Sequence, residues 1–147
     1  MAFVLCHLPL QAADSSLQEG QVLNIQGAYL QLDEGGYLNI RIIDRRICAF
    51  FLNQDLQIQR VPDVRMSIRF AGALATRSQN SGTRIIFRDE SGLFFTHPQH
   101  VRAPWDFWIE PIILFPDESA LVLPRTRLRQ EQGTDTFELE ANIPGGK

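Results

Sequence analysis

Val64-Arg-Met-Ser-Ile-Arg-Phe70 decides the fold class. Apolar side chains stand at 64, 66, 68 and 70 and polar ones at 65, 67 and 69. Only an extended chain, whose side chains alternate between two faces, puts those two sets on opposite sides. The segment therefore reads as a strand with one face in a core and the other in water. Tyr37-Leu-Asn-Ile-Arg-Ile-Ile43 repeats the design, with Leu38, Ile40 and Ile42 on one side and Tyr37, Asn39 and Arg41 on the other, and it too is expected to be half-buried. Between such segments lie Asp33-Glu-Gly-Gly36, Asp44-Arg-Arg46, Pro62-Asp63, Asn80-Ser-Gly82, Asp89-Glu-Ser-Gly92 and Pro116-Asp-Glu-Ser119. These are turn formers, which supply positive φ or hydrogen-bond their own backbone.

The same reading predicts strands near 21–32, 37–43, 47–53, 56–60, 64–70, 84–88, 93–96, 106–114, 120–123 and 125–130, with a further one at 136–140. No window supports a helix of ten residues or more; the best, Asp117 to Glu131, is broken by Pro124. Short strands joined by hairpin turns imply an all-β chain. An antiparallel β-sandwich, immunoglobulin-like or similar, is the first expectation and a small β-barrel the second. Pro111 has no N–H to give to a ladder, so 106–114 is expected at a sheet edge or with a bulge. Ile85–Phe95 and Ile112–Val122 echo each other as apolar hairpins around an acidic turn, a grammar on which unrelated hairpins converge.

The 147 residues amount to one domain on the usual scale of roughly 100–200 residues. Hydrophobic residues make up 44% and charged ones 21%, enough for one core without staples. Fourteen basic residues against seventeen acidic ones leave a net charge of -3. No chain-wide basic field exists to hold a phosphate backbone, so no nucleic-acid partner is expected. Nor does any stretch reach the about 18 consecutive apolar residues of a membrane span. The domain is assigned to residues 20–130, followed by an acidic, loosely held tail over 131–147 with at most one more strand.

Residues 1–13 carry no charged side chain before the chain turns polar at Asp14-Ser-Ser16. That profile reads as the apolar region of a signal peptide with a small-residue cleavage site, although a basic leader is lacking and His7 and Pro9 interrupt it. Export to a periplasm or its equivalent is the expectation, and a cytoplasmic location if Met1 is retained. Cleavage would remove Cys6 and leave Cys48 within Ile47-Cys-Ala-Phe-Phe-Leu52, where a free thiol behaves as a small buried hydrophobe. No Cys-x-x-Cys spacing supports a redox or zinc-thiolate site.

Three constellations carry candidate chemistry. Trp105-Asp-Phe-Trp108 gathers both tryptophans. Alternation sends Trp105, Phe107 and Ile109 to the core and leaves Trp108 between Asp106 and Glu110 on the polar face, where an amphipathic ring can stack on a saccharide or contact a protein. Arg125, Arg127 and Arg129 alternate along one side of a strand opposite Thr126, Leu128 and Gln130. Their planar guanidiniums suit carboxylates and phosphates, whether on a ligand or on the chain's own acidic tail. His97-Pro-Gln-His100 is the one paired-histidine spacing, and neutral imidazole suits copper or zinc. No Gly-x-Ser-x-Gly, phosphate-loop, dinucleotide-loop or His-Glu-x-x-His motif is present, so neither a catalytic centre nor a cofactor is expected. These observations point to a non-catalytic, exported binding or scaffolding protein of the cell envelope whose partner is a protein or a saccharide. The alternative is a periplasmic metal-handling protein using His97 and His100, and a small hydrolase or isomerase ranks third.

Overall fold

The computed structural model describes residues 17–71, 82–130 and the strand at 137–139. The expected leader at 1–13, and the tail apart from that strand, lie outside the described residues. The described chain is all-β. Its strands are β1 (Ala28–Gln31), β2 (Tyr37–Ile43), β3 (Arg46–Leu52), β4 (Ile58–Gln59), β5 (Arg65–Ala71), β6 (Thr83–Arg88), β7 (Phe95–Thr96), β8 (Asp106–Leu114), β9 (Ala120–Val122), β10 (Thr126–Gln130) and β11 (Phe137–Leu139). They form one antiparallel sheet in the order β1-β2-β3-β7-β6-β5-β8-β10-β11, with β4 added to β3 and β9 to β8. The sheet curls into a half-barrel of two limbs. β6 is the corner: Thr83–Ile86 pairs with β5 and Phe87–Arg88 with β7, a strand that passes from one limb to the other.

Alternation fills the inside of the curl. Met66, Ile68 and Phe70 from β5 meet Phe107, Ile109 and Ile113 from β8 and Leu38, Ile40 and Phe51 from the first limb in one buried cluster. Two-residue turns with positive φ suit the twist of hairpins, and Asp44 and Arg45, at φ 54° and 64°, make that turn between β2 and β3. In both echoing hairpins an aspartate side chain, Asp89 or Asp117, accepts the backbone N–H two residues on, which closes an acidic turn.

Three sequence expectations are corrected here. Residues 21–26 are not part of the first strand. They form a strap fastened by the Val22–Gln57 bridge and by backbone bonds from Gly20 N–H to Ile58 and from Ile58 N–H to Gln21. That strap, with 53–57 and 91–94, covers the outer face of the first limb, where Leu23, Tyr29, Phe50, Leu52 and Ile58 make a second apolar cluster. β2 is consequently buried on both faces rather than one. Asn39 and Arg41 accept burial because their polar atoms are bonded. Arg41, only 4% exposed, donates to Asn39 Oδ1 (2.6 Å), Asn24 Oδ1 (2.9 Å), the Asn24 carbonyl (2.8 Å) and the Tyr29 hydroxyl (3.3 Å).

The third correction concerns Pro111: the expected edge is absent, and the irregularity that replaces it falls on the neighbouring strand, where 123–125 face 110–111. β8 is no edge: β5 pairs it along seven residues, including Ile68↔Pro111. On its other side the neighbour changes from β10, which ends at Thr126↔Ile109, to β9, which begins at Val122↔Ile112. Pro111 faces that break, and its carbonyl accepts from Leu123 N–H at 2.9 Å. The missing donor falls where the partner strand is itself interrupted at Pro124, so the sheet loses no bond to it.

Candidate functional site

The strict alternation of β8 fixes the site, with Phe107, Ile109 and Ile113 turned inward and Asp106, Trp108, Glu110 and Ile112 turned outward. Trp108 is therefore partly exposed. Trp105 lies in the core at 2% exposure, and its indole nitrogen has no hydrogen-bond partner among the described residues. Sequence placed both rings on these faces, and the pair thus splits into one packing residue and one surface residue.

Register brings the arginine stripe beside the tryptophan. Arg127 stands opposite Trp108, and Arg129 opposite Asp106. Arg127 grips Asp106 with two parallel bonds, Nε to Oδ1 at 2.8 Å and a terminal nitrogen to Oδ2 at 2.9 Å, the fork geometry that makes such pairs directional. Glu110 is shared between Arg69, which donates to Oε1 through Nε at 2.8 Å and through a terminal nitrogen, and Arg125 at 3.6 Å. The Arg127 hydrogen bond holds the Asp106 carboxyl below the ordinary aspartate range against a small burial effect. The Arg69 hydrogen bond does the same for Glu110. Five guanidiniums, Arg65, Arg69, Arg125, Arg127 and Arg129, thus share a face with two carboxylates, although the chain as a whole is acidic.

Sequence reading missed the apolar part of this face. Ile85, Ser67, Ile112 and Val122 stand directly opposite one another across β6, β5, β8 and β9. Ile85 is 60% exposed and Val122 56%, and Phe87 follows Ile85 on β6 at 56%. Arg65, Ser67, Ile85, Ile112 and Leu114 border a shallow hollow of about 210 Å³ between them. The signal was present in Ile85-Ile-Phe87, where apolar residues occupy both alternating sets, but a run of that kind does not say which face water reaches.

The histidines sit apart, in the turn after β7. His97 accepts the Gln99 N–H on Nδ1 at 3.1 Å, and its burial, with the Arg84 guanidinium nearby, lowers its pKa. His100 is exposed. Among the described residues no three His, Cys, Asp or Glu side chains converge as a metal site would need. Cys48 lies in the second apolar cluster, and burial pushes its thiol up to about 11, far from a reactive thiolate. No described helix is long and apolar enough to cross a membrane. Comparison with known protein families, with characterised proteins and with solved structures returns no match for this chain.

Proposed function

We propose that the protein is a non-catalytic binding module that holds another component of the cell envelope against the outer face of β6, β5, β8 and β9. The observation that carries this reading is the apolar row Ile85, Ile112 and Val122, exposed at both ends and half-buried at Ile112, on the same face as Trp108, from which Glu110 with Arg69 and Arg125 separates it. Exposed apolar side chains in line, on one face with an amphipathic ring, are what a partner can dehydrate with gain. Arginines already held in place lose little rotamer freedom on contact. The apolar stretch at 1–13 supports export, and sequencing the N-terminus of the native protein tests that part: Met1 in place would remove it.

The test of the binding reading compares partners recovered from the native host by the wild-type chain, by Trp108→Ala/Ile112→Glu, and by Ile25→Glu, which alters an exposed apolar residue elsewhere. A partner kept by the wild type and Ile25→Glu but lost by the double variant supports the proposal. The same partners on all three chains would overturn it.

A further inference from the structure

At one end of the half-barrel the curled sheet leaves a partly enclosed cleft of about 520 Å³ between the two limbs. The β1–β2 turn forms one side and the β8–β9 hairpin the other. Its floor is the main core itself, reached at Phe51, Val64 and Ile113. Leu32, Phe115 and Leu121, the partly buried apolar side chains packed against that core, all converge on this cleft as its walls. The core is therefore left open at this point over a volume in the range of small-ligand sites, which favour barrel mouths.

The residues that line this cleft carry charge of one sign, the Arg60 guanidinium lying in an adjoining hollow that shares Leu32, Glu34, Phe51 and Pro62. Asp33, Glu34 and Asp63 line the cleft and no Lys or Arg does, and none of the three carboxylates has a cationic partner among the described residues. Arg88 lies near Pro62 but is engaged, donating to the Pro62 carbonyl at 3.1 Å and lying over the Phe95 ring. Two phenyl rings, Phe51 and Phe115, add to the apolar lining of the same cleft. We infer that this cleft binds a small amphiphile with an apolar body and an ammonium head. The body replaces water over Phe51, Ile113 and Leu121, and the head remains at the mouth among Asp33, Glu34 and Asp63. An anionic amphiphile of the same length gains the apolar contact but meets the negative charge of three solvent-exposed carboxylates, a repulsion that salt weakens. The site is separate from the Trp108 face and stands or falls independently of it.

The test is a titration of the isotope-labelled full chain with octyltrimethylammonium and, separately, with octyl sulfate, both below micelle formation, followed through backbone amide shifts. Saturable shifts around 32–34, 62–64 and 113–121 are expected with the ammonium compound, and binding at least about tenfold weaker with the sulfate. Asp33→Asn/Asp63→Asn is expected to weaken ammonium binding by roughly tenfold with an unchanged melting temperature, and Leu121→Arg to abolish it. Equal binding of the two amphiphiles, unchanged affinity in the double variant, shifts centred on Trp108, or the absence of saturable shifts would each overturn the inference.

Discussion

Arg41 is a cation held in the second apolar cluster by neutral acceptors alone, Asn24, Asn39 and Tyr29. Burial lowers its pKa, opposed by the Tyr29 hydroxyl, yet a guanidinium remains charged under any ordinary condition. Its fork ties β2 to the strap. Arg41→Met would leave the buried Asn39 Oδ1 without its donor, and a loss of about 2 kcal/mol in urea unfolding is expected. Arg41→Lys should recover little, because one ammonium cannot span those acceptors. A loss within experimental error for Arg41→Met would show the network to be dispensable. The Asp106–Arg127 pair makes a prediction with a sign. Its carboxyl is depressed in the folded chain, so the pair's stabilisation is present above the ordinary aspartate pKa, about 3.9, and is lost as pH falls through the depressed value. The stability difference between wild type and Arg127→Gln should therefore shrink on acidification below pH about 4. A difference independent of pH would assign the effect of Arg127 to packing.

Among elements, the β1–β2 turn is closely packed against β3 and the chain just after it. A β-carbon at Gly36 would overlap the Leu52 carbonyl oxygen, which belongs to rigid backbone. Gly36→Ala should cost about 2 kcal/mol, measured by chemical unfolding, from overlap alone, since Gly36 carries no positive φ. Trp105, just before β8, is buried and Trp108 within it faces outward, so acrylamide should quench one emission component and spare the other, and Trp108→Phe should remove the accessible component; equal quenching of both rings would contradict the alternation. Much of this level was legible beforehand. Period-two patterning placed strands where β2, β3, β5, β8 and β10 lie, and it sorted the β8 side chains correctly. Arg41 and Asn39 misled the reading of β2 because polarity reports where water is expected, not what a distant strap covers. Pro111 misled because an interrupted neighbour can absorb a missing donor within a sheet. The Trp108–Arg127 adjacency depends on register between segments some twenty residues apart, which no local pattern encodes.

For the molecule as a whole, the two limbs are unequally protected. The first is buried on both faces by two apolar clusters, and the second keeps an exposed outer face. Amides of β2 and β3 should exchange with solvent only through global unfolding, and those of β6 and β9 at lower free energy. One common exchange energy across all four strands would show a single cooperative block instead. The backbone join between the limbs is two residue pairs wide, Phe87↔Thr96 and Arg88↔Phe95. Otherwise the limbs are held together by side chains of the one shared cluster and by the approach of β1 to β10. Leu32 and Phe51 belong to one limb and Ile113 and Leu121 to the other, so a guest seated between them would act as a splint across that narrow join.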